Sequence, residues 1–362
     1  MSVLLSRLRL GKSARLPFLI LSNGFSSSLL RTRPCTIISA DSCGPDMGKL
    51  IILNANESDD TYLDKKVPLE LMEQMGTVAS SNGWVATLKD DGILRLQDDL
   101  NPDASDTNPK RIPLPPLVTL PHCQTKIITN MSMSSSSPED EDCVVAVKFL
   151  GPQISFCRPA QGNSGWTNIR IENPCFYSSR VMFSKKDEMF LMPGSGGHII
   201  GSWDLRKHKP TTKIKRLRFR DLPELTKTKR EILHSCCKSE HLVESRITDE
   251  TFLVKQYKKA TSKIIKGIAQ MKTEALMVFK LDKEGNAVYT NDIGGLCIFL
   301  SKAEPFCTHA ALSPGLSFNV VEVLDVDEKG FVVLYNSSIH TWNSTFSVPY
   351  HIPPQDIDFE ED

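Results

Sequence analysis

The chain has 362 residues, 40% hydrophobic and 24% charged, with 43 basic groups against 43 acidic ones. That composition supports a real core, and the neutral total argues against a protein built wholly to coat nucleic acid. The longest apolar run, Leu16–Leu21, is interrupted by Pro17 and falls well short of the about 20 residues that a membrane-spanning helix needs.

The neutral total conceals an asymmetry at the start of the chain. Residues 1–40 carry Arg7, Arg9, Lys12, Arg15, Arg31 and Arg33, eight serines and no acid; the first carboxylate is Asp41. The remainder is mildly acidic, with 37 basic groups against 43 acidic ones. An Arg-rich, Ser-rich, acid-free segment has the composition of an organellar transit peptide. The inside-negative potential of the inner mitochondrial membrane attracts such a segment by about 2.3 kcal/mol per charge per 100 mV. Residues 1–40 are therefore predicted to be a disordered mitochondrial transit peptide, removed near 31–40, shortly after Arg31 or Arg33. A plastid is the alternative destination. A secretory signal is excluded, because Leu16–Leu21 is too short, too late and broken by proline.

From Lys49 onward, short apolar or alternating runs recur, each ended by Gly, Pro, Asn, Asp or Ser. In chain order they are Lys49–Leu53, then Gly83–Leu88 and Gly92–Leu96 around an Asp-Gly turn, Cys143–Leu150, Ile154–Cys157, Trp166–Ile171, Val181–Ser184, Glu188–Met192 and His198–Trp203. After a basic stretch come Leu242–Arg246, Thr251–Tyr257, Ala275–Leu281, Ala287–Thr290, Cys297–Leu300, Val320–Asp325, Phe331–Tyr335 and Ile339–Trp342. Helical candidates are few and short: Leu69–Met75 and Glu224–His234. Strands joined by tight turns without helical crossovers cannot form a parallel α/β sheet, and these are too many for one sandwich. The fold expected is all-β: a single β-propeller of about six to seven blades over 49–350, preceded by the leader. Pairing of Ile339–Trp342 with Lys49–Leu53 would close the ring. Ser134–Asp142 and the acidic tail at 351–362 read as disordered, solvating segments.

Several stretches resemble a known family in the right order. They are Ser80-Ser81-Asn82-Gly83-Trp84-Val85-Ala86, Leu94-Arg95-Leu96, Ile112-Pro113-Leu114-Pro115-Pro116-Leu117, Phe156-Cys157-Arg158-Pro159, Trp166-Thr167-Asn168-Ile169 and Val278-Phe279-Lys280-Leu281-Asp282. Together they are similar to the plant F-box-associated family carrying domain of unknown function 295, the KIB-type β-propellers. The resemblance implies a propeller. It also points to the organelle-targeted branch lacking the F-box, because a transit-like segment stands where the family has its F-box.

No catalytic constellation is visible. Ten cysteines form no C-x-x-C pair, eight histidines show no metal-ligand spacing, and no G-x-S-x-G occurs. Gly194-Ser195-Gly196-Gly197-His198 lacks the Lys-Ser/Thr ending of a phosphate loop and reads as a hairpin turn. Trp84, Trp166, Trp203 and Trp342 read as packing between blades. The one chemical feature is the segment Arg206–Arg230, with eleven basic residues. Within it Arg216, Arg218 and Arg220 alternate with Leu217 and Phe219, which would put three guanidinium groups on one strand face as a contact for an anion or a partner. The reading is a non-catalytic mitochondrial interaction module for an unknown protein partner, with no cofactor or metal. Its alternatives are a substrate-recognition propeller without its F-box, and an RNA-associated organellar protein using residues 206–230.

Overall fold

A computed structural model describes residues 31–355, apart from 55–58, 74–75, 124, 162–164, 206–211, 266–267, 314 and 344–347. Among these residues the strands pair into six sheets, the blades of a propeller. Blade 1 contains β1 (Cys35–Ser42), β2 (Met47–Asn54) and β3 (Thr61–Pro68). Blade 2 is β4 (Ala79–Ser81), β5 (Trp84–Leu88), β6 (Ile93–Gln97) and β7 (Arg111–Pro116). Blade 3 is β8 (Ile128–Met133), β9 (Val145–Phe149), β10 (Gln153–Cys157) and β11 (Thr167–Arg170). Blade 4 is β12 (Met182–Ser184), β13 (Met189–Pro193), β14 (Ile199–Trp203) and β15 (Lys213–Arg216). Blade 5 gathers β16 (Arg218–Arg220), β17 (Cys237–Glu244), β18 (Thr251–Ile265), β19 (Ile268–Leu281) and β20 (Asn286–Thr290), with helix α1 (Lys227–Ser235) preceding β17. Blade 6 is β21 (Leu296–Leu300), β22 (Phe306–His309), β23 (Val320–Leu324), β24 (Glu328–Val333) and β25 (Ser338–Asn343).

The last strand, β26 (His351–Ile352), closes the ring by pairing with Cys35–Thr36 of β1. This corrects the expected closure, since β25 is the outer strand of blade 6 and β2 lies inside blade 1, already paired on both edges. It also moves the limits of the domain. Cys35–Ala40, expected in the leader, lies in β1, and His351–Ile352, expected in the tail, is β26. Residues 1–30 of the leader and 356–362 of the tail lie outside the described residues. Ser134–Asp142 is an ordered turn rather than a disordered segment, although Glu139, Asp140, Glu141 and Asp142 remain exposed to solvent. Asn82 donates to the Ser135 carbonyl at 3.1 Å and the Trp84 indole to that of Ser136 at 3.1 Å.

The cores sit between blades, because each sheet buries both faces against its neighbours. Trp84, Leu96, Met131 and Phe149 join blades 2 and 3. Phe156, Phe176, Phe190 and Trp203 join blades 3 and 4. Trp203 is wholly buried, with its ring 6.3 Å from that of Phe176 in an edge contact. Trp166 is half-buried against the same seam as Trp84 and donates to the Pro115 carbonyl at 2.7 Å. Trp342 departs from expectation: it is 48% exposed on outer strand β25. Of the helical candidates, the described part of Leu69–Met75 holds a 3-10 turn at Leu69–Met72, and Glu224–His234 overlaps α1, capped by Thr226 accepting from the Lys229 N–H.

Lys148 on β9 is fully buried, and its amino group donates to the carbonyls of Phe149, Gly151 and Tyr177. Replacing it with Met should cost about 1–3 kcal/mol in urea unfolding, since three buried acceptors lose their donor. Burial lowers its pKa from 10.5 to about 7. Over that window the unfolded chain holds a proton that the folded chain has released, so stability rises with pH. That rise should be present in the native protein and missing from Lys148→Met.

Candidate functional site

The predicted arginines lie where the chain passes between two blades. Arg216 ends β15 on the rim of blade 4. After the buried Leu217, Arg218 and Arg220 lie on β16, which pairs in parallel with β20 on the rim of blade 5. The expectation of a single strand face is thus corrected: the three groups belong to two sheets, though all are exposed on the solvent side. The alternation itself holds. Leu217 packs into the seam of blades 4 and 5, and the Phe219 ring lies 4.8 Å from that of Phe279 and under the Lys255 ammonium. Arg218 donates to the Glu284 carbonyl at 2.9 Å. Arg206 and its neighbours through 211 lie outside the described residues.

The polar centre of the ring was not foreseen. The inner strands β26, β4, β8, β12, β17 and β22 surround the axis. The link Ser301–Pro305, between β21 and β22, lies across the space they enclose. The Glu304 carboxylate accepts from Ser81 Oγ of blade 2 at 2.5 Å, from Ser132 Oγ of blade 3 at 2.6 Å, and from the Phe183 N–H of blade 4 at 3.2 Å. Its own N–H donates to the Ser80 carbonyl at 2.8 Å. The Arg180 guanidinium, just before β12, donates to the Ser301 carbonyl at 2.7 Å. Lys302 N–H donates to Pro349, and His351 N–H to Ser301 Oγ, both toward blade 1. One short link therefore ties five of the six blades. Burial pushes the Glu304 carboxyl above the ordinary range, and the Ser132, Ser81 and Phe183 donors pull partly against it.

A second polar group fills the seam between blades 5 and 6. Lys258 lies 2.7 Å from Asp325 and 3.6 Å from Glu328, and Glu328 also accepts from the Thr273 N–H and hydroxyl, each at 2.8 Å. Burial pushes the Asp325 carboxyl up, but the Lys258 ammonium outweighs it and holds the group below its usual range. His241 and His351 are buried too, and burial lowers both to about 3, so both are neutral. Above this seam β18 and β19 run 15 and 14 residues, and β17 accompanies them only as far as Lys258. Beyond Lys258 the two strands continue without β17: Lys259, Ala260, Ser262 and Ile264 of β18 are exposed, while on β19 Gln270 is buried and the Met271 N–H donates to Asp327 at 3.4 Å.

Gly194–His198 is the turn joining β13 to β14, as expected, with φ at +84° and +71° for Gly196 and Gly197. Among the described residues no three His, Cys, Asp or Glu side chains gather as a metal site, and no helix is long and apolar enough to cross a membrane. All ten cysteines are free; Cys43, Cys175 and Cys237 are exposed rather than set in the core.

Three solved structures are similar to the chain at low identity and low TM-score. Dihydro-heme d1 dehydrogenase NirN in complex with DHE is 11% identical with a TM-score of 0.35, over 90% of this chain and 56% of that one. The chain thus spans little more than half the length of NirN. A duf4221 family member from Bacteroides vulgatus is 10% identical with a TM-score of 0.38, over 88% and 95% of the two chains. The periplasmic gluconolactonase PpgL of Pseudomonas aeruginosa is 9% identical with a TM-score of 0.39, over 90% and 96%. At these scores none of the three bears on activity. No curated protein matches the chain. The family model described as KIB1-4 beta-propeller matches residues 52–343, from β2 to the end of β25, and the chain belongs to that family.

Proposed function

We propose that this propeller is a non-catalytic interaction module working in mitochondria. The observation that carries the reading is the link at Ser301–Glu304. It crosses the middle of the ring, where a ligand-binding propeller gathers its polar groups, and its own polar groups are taken up by bonds to the inner strands of blades 2 and 3 and to residues of blade 4. The surfaces left to a partner are the rims, the outer edges and the long ribbon of β18 and β19, loop-built areas on a rigid frame. The acid-free, arginine-rich start of the chain supports delivery by a leader.

The test has two arms. The full chain, synthesised in vitro and offered to isolated mitochondria, should reach a protease-protected state only while the membrane potential is maintained. The imported protein should then be recovered with one protein in constant stoichiometry. Cytosolic retention of a fluorescent fusion would refute the location. A purified protein that turns over a small molecule would refute the docking role.

A further inference from the structure

Between Glu250 and Glu274 the chain carries six lysines and no acid. Two of the six are used inside the fold: Lys255 donates to the Gly196 carbonyl at 3.0 Å, and Lys258 is paired with Asp325. The next, Lys259, stands directly opposite Lys272 across the β18–β19 pair. Like charges in that position repel, since the Cβ atoms of directly paired residues lie only about 5 Å apart. Neither lysine makes a hydrogen bond or an ion pair among the described residues. The acids that face the ribbon from blade 6 are occupied, Asp327 by the Met271 N–H and Glu328 by Thr273 and Lys258. The lysine pair is thus left for a negative group from outside the molecule.

Past these lysines the ribbon turns aliphatic. Ile264 pairs with Ala269 and Ile265 with Ile268, and the Ile264 side chain is 67% exposed. A cationic pair behind an exposed aliphatic end matches a lipid surface, whose interface takes apolar side chains about 5–10 Å deep beneath a layer of phosphates. The spacing agrees. Lys259 lies five residues before Ile264, about 16 Å along the strand, and its long stem lets the ammonium reach back toward the end. A nucleic acid is the other extended polyanion, but its bases are held by stacking on aromatic rings or arginine planes. Residues 258–275 contain no aromatic residue and no arginine. We infer that the end of the β18–β19 ribbon docks on an anionic lipid bilayer, with Ile264 in the interface and Lys259 and Lys272 against lipid phosphates. The rims and outer edges of the blades stay free for a protein partner, so this contact and the protein-docking role can fail separately.

Co-sedimentation of the purified full chain with lipid vesicles provides the test. The vesicles hold phosphatidylcholine alone or with about 30% phosphatidylglycerol, at about 50 mM and about 300 mM salt, where screening differs strongly. Arg7→Gln, Arg9→Gln, Lys12→Gln and Arg15→Gln are present throughout, so that the cationic start of the chain does not itself attract the vesicles. Binding is expected only with phosphatidylglycerol, and weaker at the higher salt. A lysine near an anionic surface contributes about a factor of five, so Lys259→Glu with Lys272→Glu should lose at least about twentyfold. Ile264→Asp should lose about tenfold. Lys259→Glu alone turns a repelling pair into an attracting one, so it should melt at or above the native temperature and still bind about tenfold more weakly. The Arg216→Glu, Arg218→Glu, Arg220→Glu variant should bind like the native chain. Equal binding to both kinds of vesicle, no binding at low salt, or binding that the lysine and isoleucine variants keep would each overturn the inference. Salt-sensitive retention of RNA through Lys259 and Lys272, without vesicle binding, would overturn it too.

Discussion

A chain shortened to end at Val348 is expected to lose cooperative unfolding altogether. The shortening removes β26, the inner strand of blade 1. Tyr350 and Ile352 are wholly or almost wholly buried there, among Ile37, Leu50 and Val85. Losing either side chain from such a core costs about 2–5 kcal/mol, and the pair approaches the 5–15 kcal/mol that holds a typical domain together. The backbone adds to this. The Ile37 N–H loses the Tyr350 carbonyl, and the Thr32 N–H and hydroxyl lose Gln355. Circular dichroism in urea should show a broad, shallow decline instead of a transition. Ile352→Val keeps the strand and deletes one methylene, so it should cost only about 0.5–1.5 kcal/mol. A sharp transition of native steepness in the shortened chain would show that β26 does not close the ring.

Glu304→Ala is expected to destabilise the protein by about 3–5 kcal/mol, a large effect for one surface-remote loop residue. The hydroxyls of Ser81 and Ser132 and the Phe183 N–H would all lose their acceptor together. A buried donor without a partner costs about 1–3 kcal/mol. Glu304→Gln keeps one acceptor oxygen and should recover about half of the loss. The two variants also differ in pH dependence. The folded-state pKa of Glu304 is raised, so its contribution is complete below the ordinary carboxyl value of 4.5 and declines as pH climbs through the raised value. The native protein should therefore lose its margin over Glu304→Gln across that interval and hold a constant difference above it. Equal urea midpoints for the native protein and Glu304→Ala would mean that the link does not hold the blades.

Periodicity exposed the middle strands of the blades. Cys143–Leu150 contains β9, His198–Trp203 contains β14 and Val320–Asp325 contains β23, because these are sandwiched by sheets on both faces and read as continuous apolar runs. Some edges were legible too, β11, β12 and β25 among them, but others were hidden. β8 is Ile-Thr-Asn-Met-Ser-Met, buried by crowding at the axis rather than by apolarity, and β4 is three residues long. Prolines 113, 115 and 116 disguise β7, which tolerates them as an outer strand. β1 was obscured by the acid-free composition that runs on into it from the leader. The length of β18 and β19 was underestimated because Lys259, Ala260, Ser262 and Ile264 are exposed and break the apolar pattern. Arg216, Arg218 and Arg220 could be singled out because charge is local in sequence. Glu304 was out of reach of such reading: its partners Ser81 and Ser132 stand 223 and 172 residues away, and only ring closure brings them together.

The passage of the chain from β15 into β16 constrains how this protein can change by duplication. Most blades take all their strands from one uninterrupted stretch, so a copied or deleted repeat could be absorbed there by widening the ring. Blade 5 is also built from one uninterrupted stretch, β16 to β20, but it lays down its outermost strand first, a single residue after β15 ends blade 4. A repeat inserted at that junction would have to part β15 from β16, which only the buried Leu217 separates, so a change of blade number is harder to absorb here than at the longer connections elsewhere in the ring.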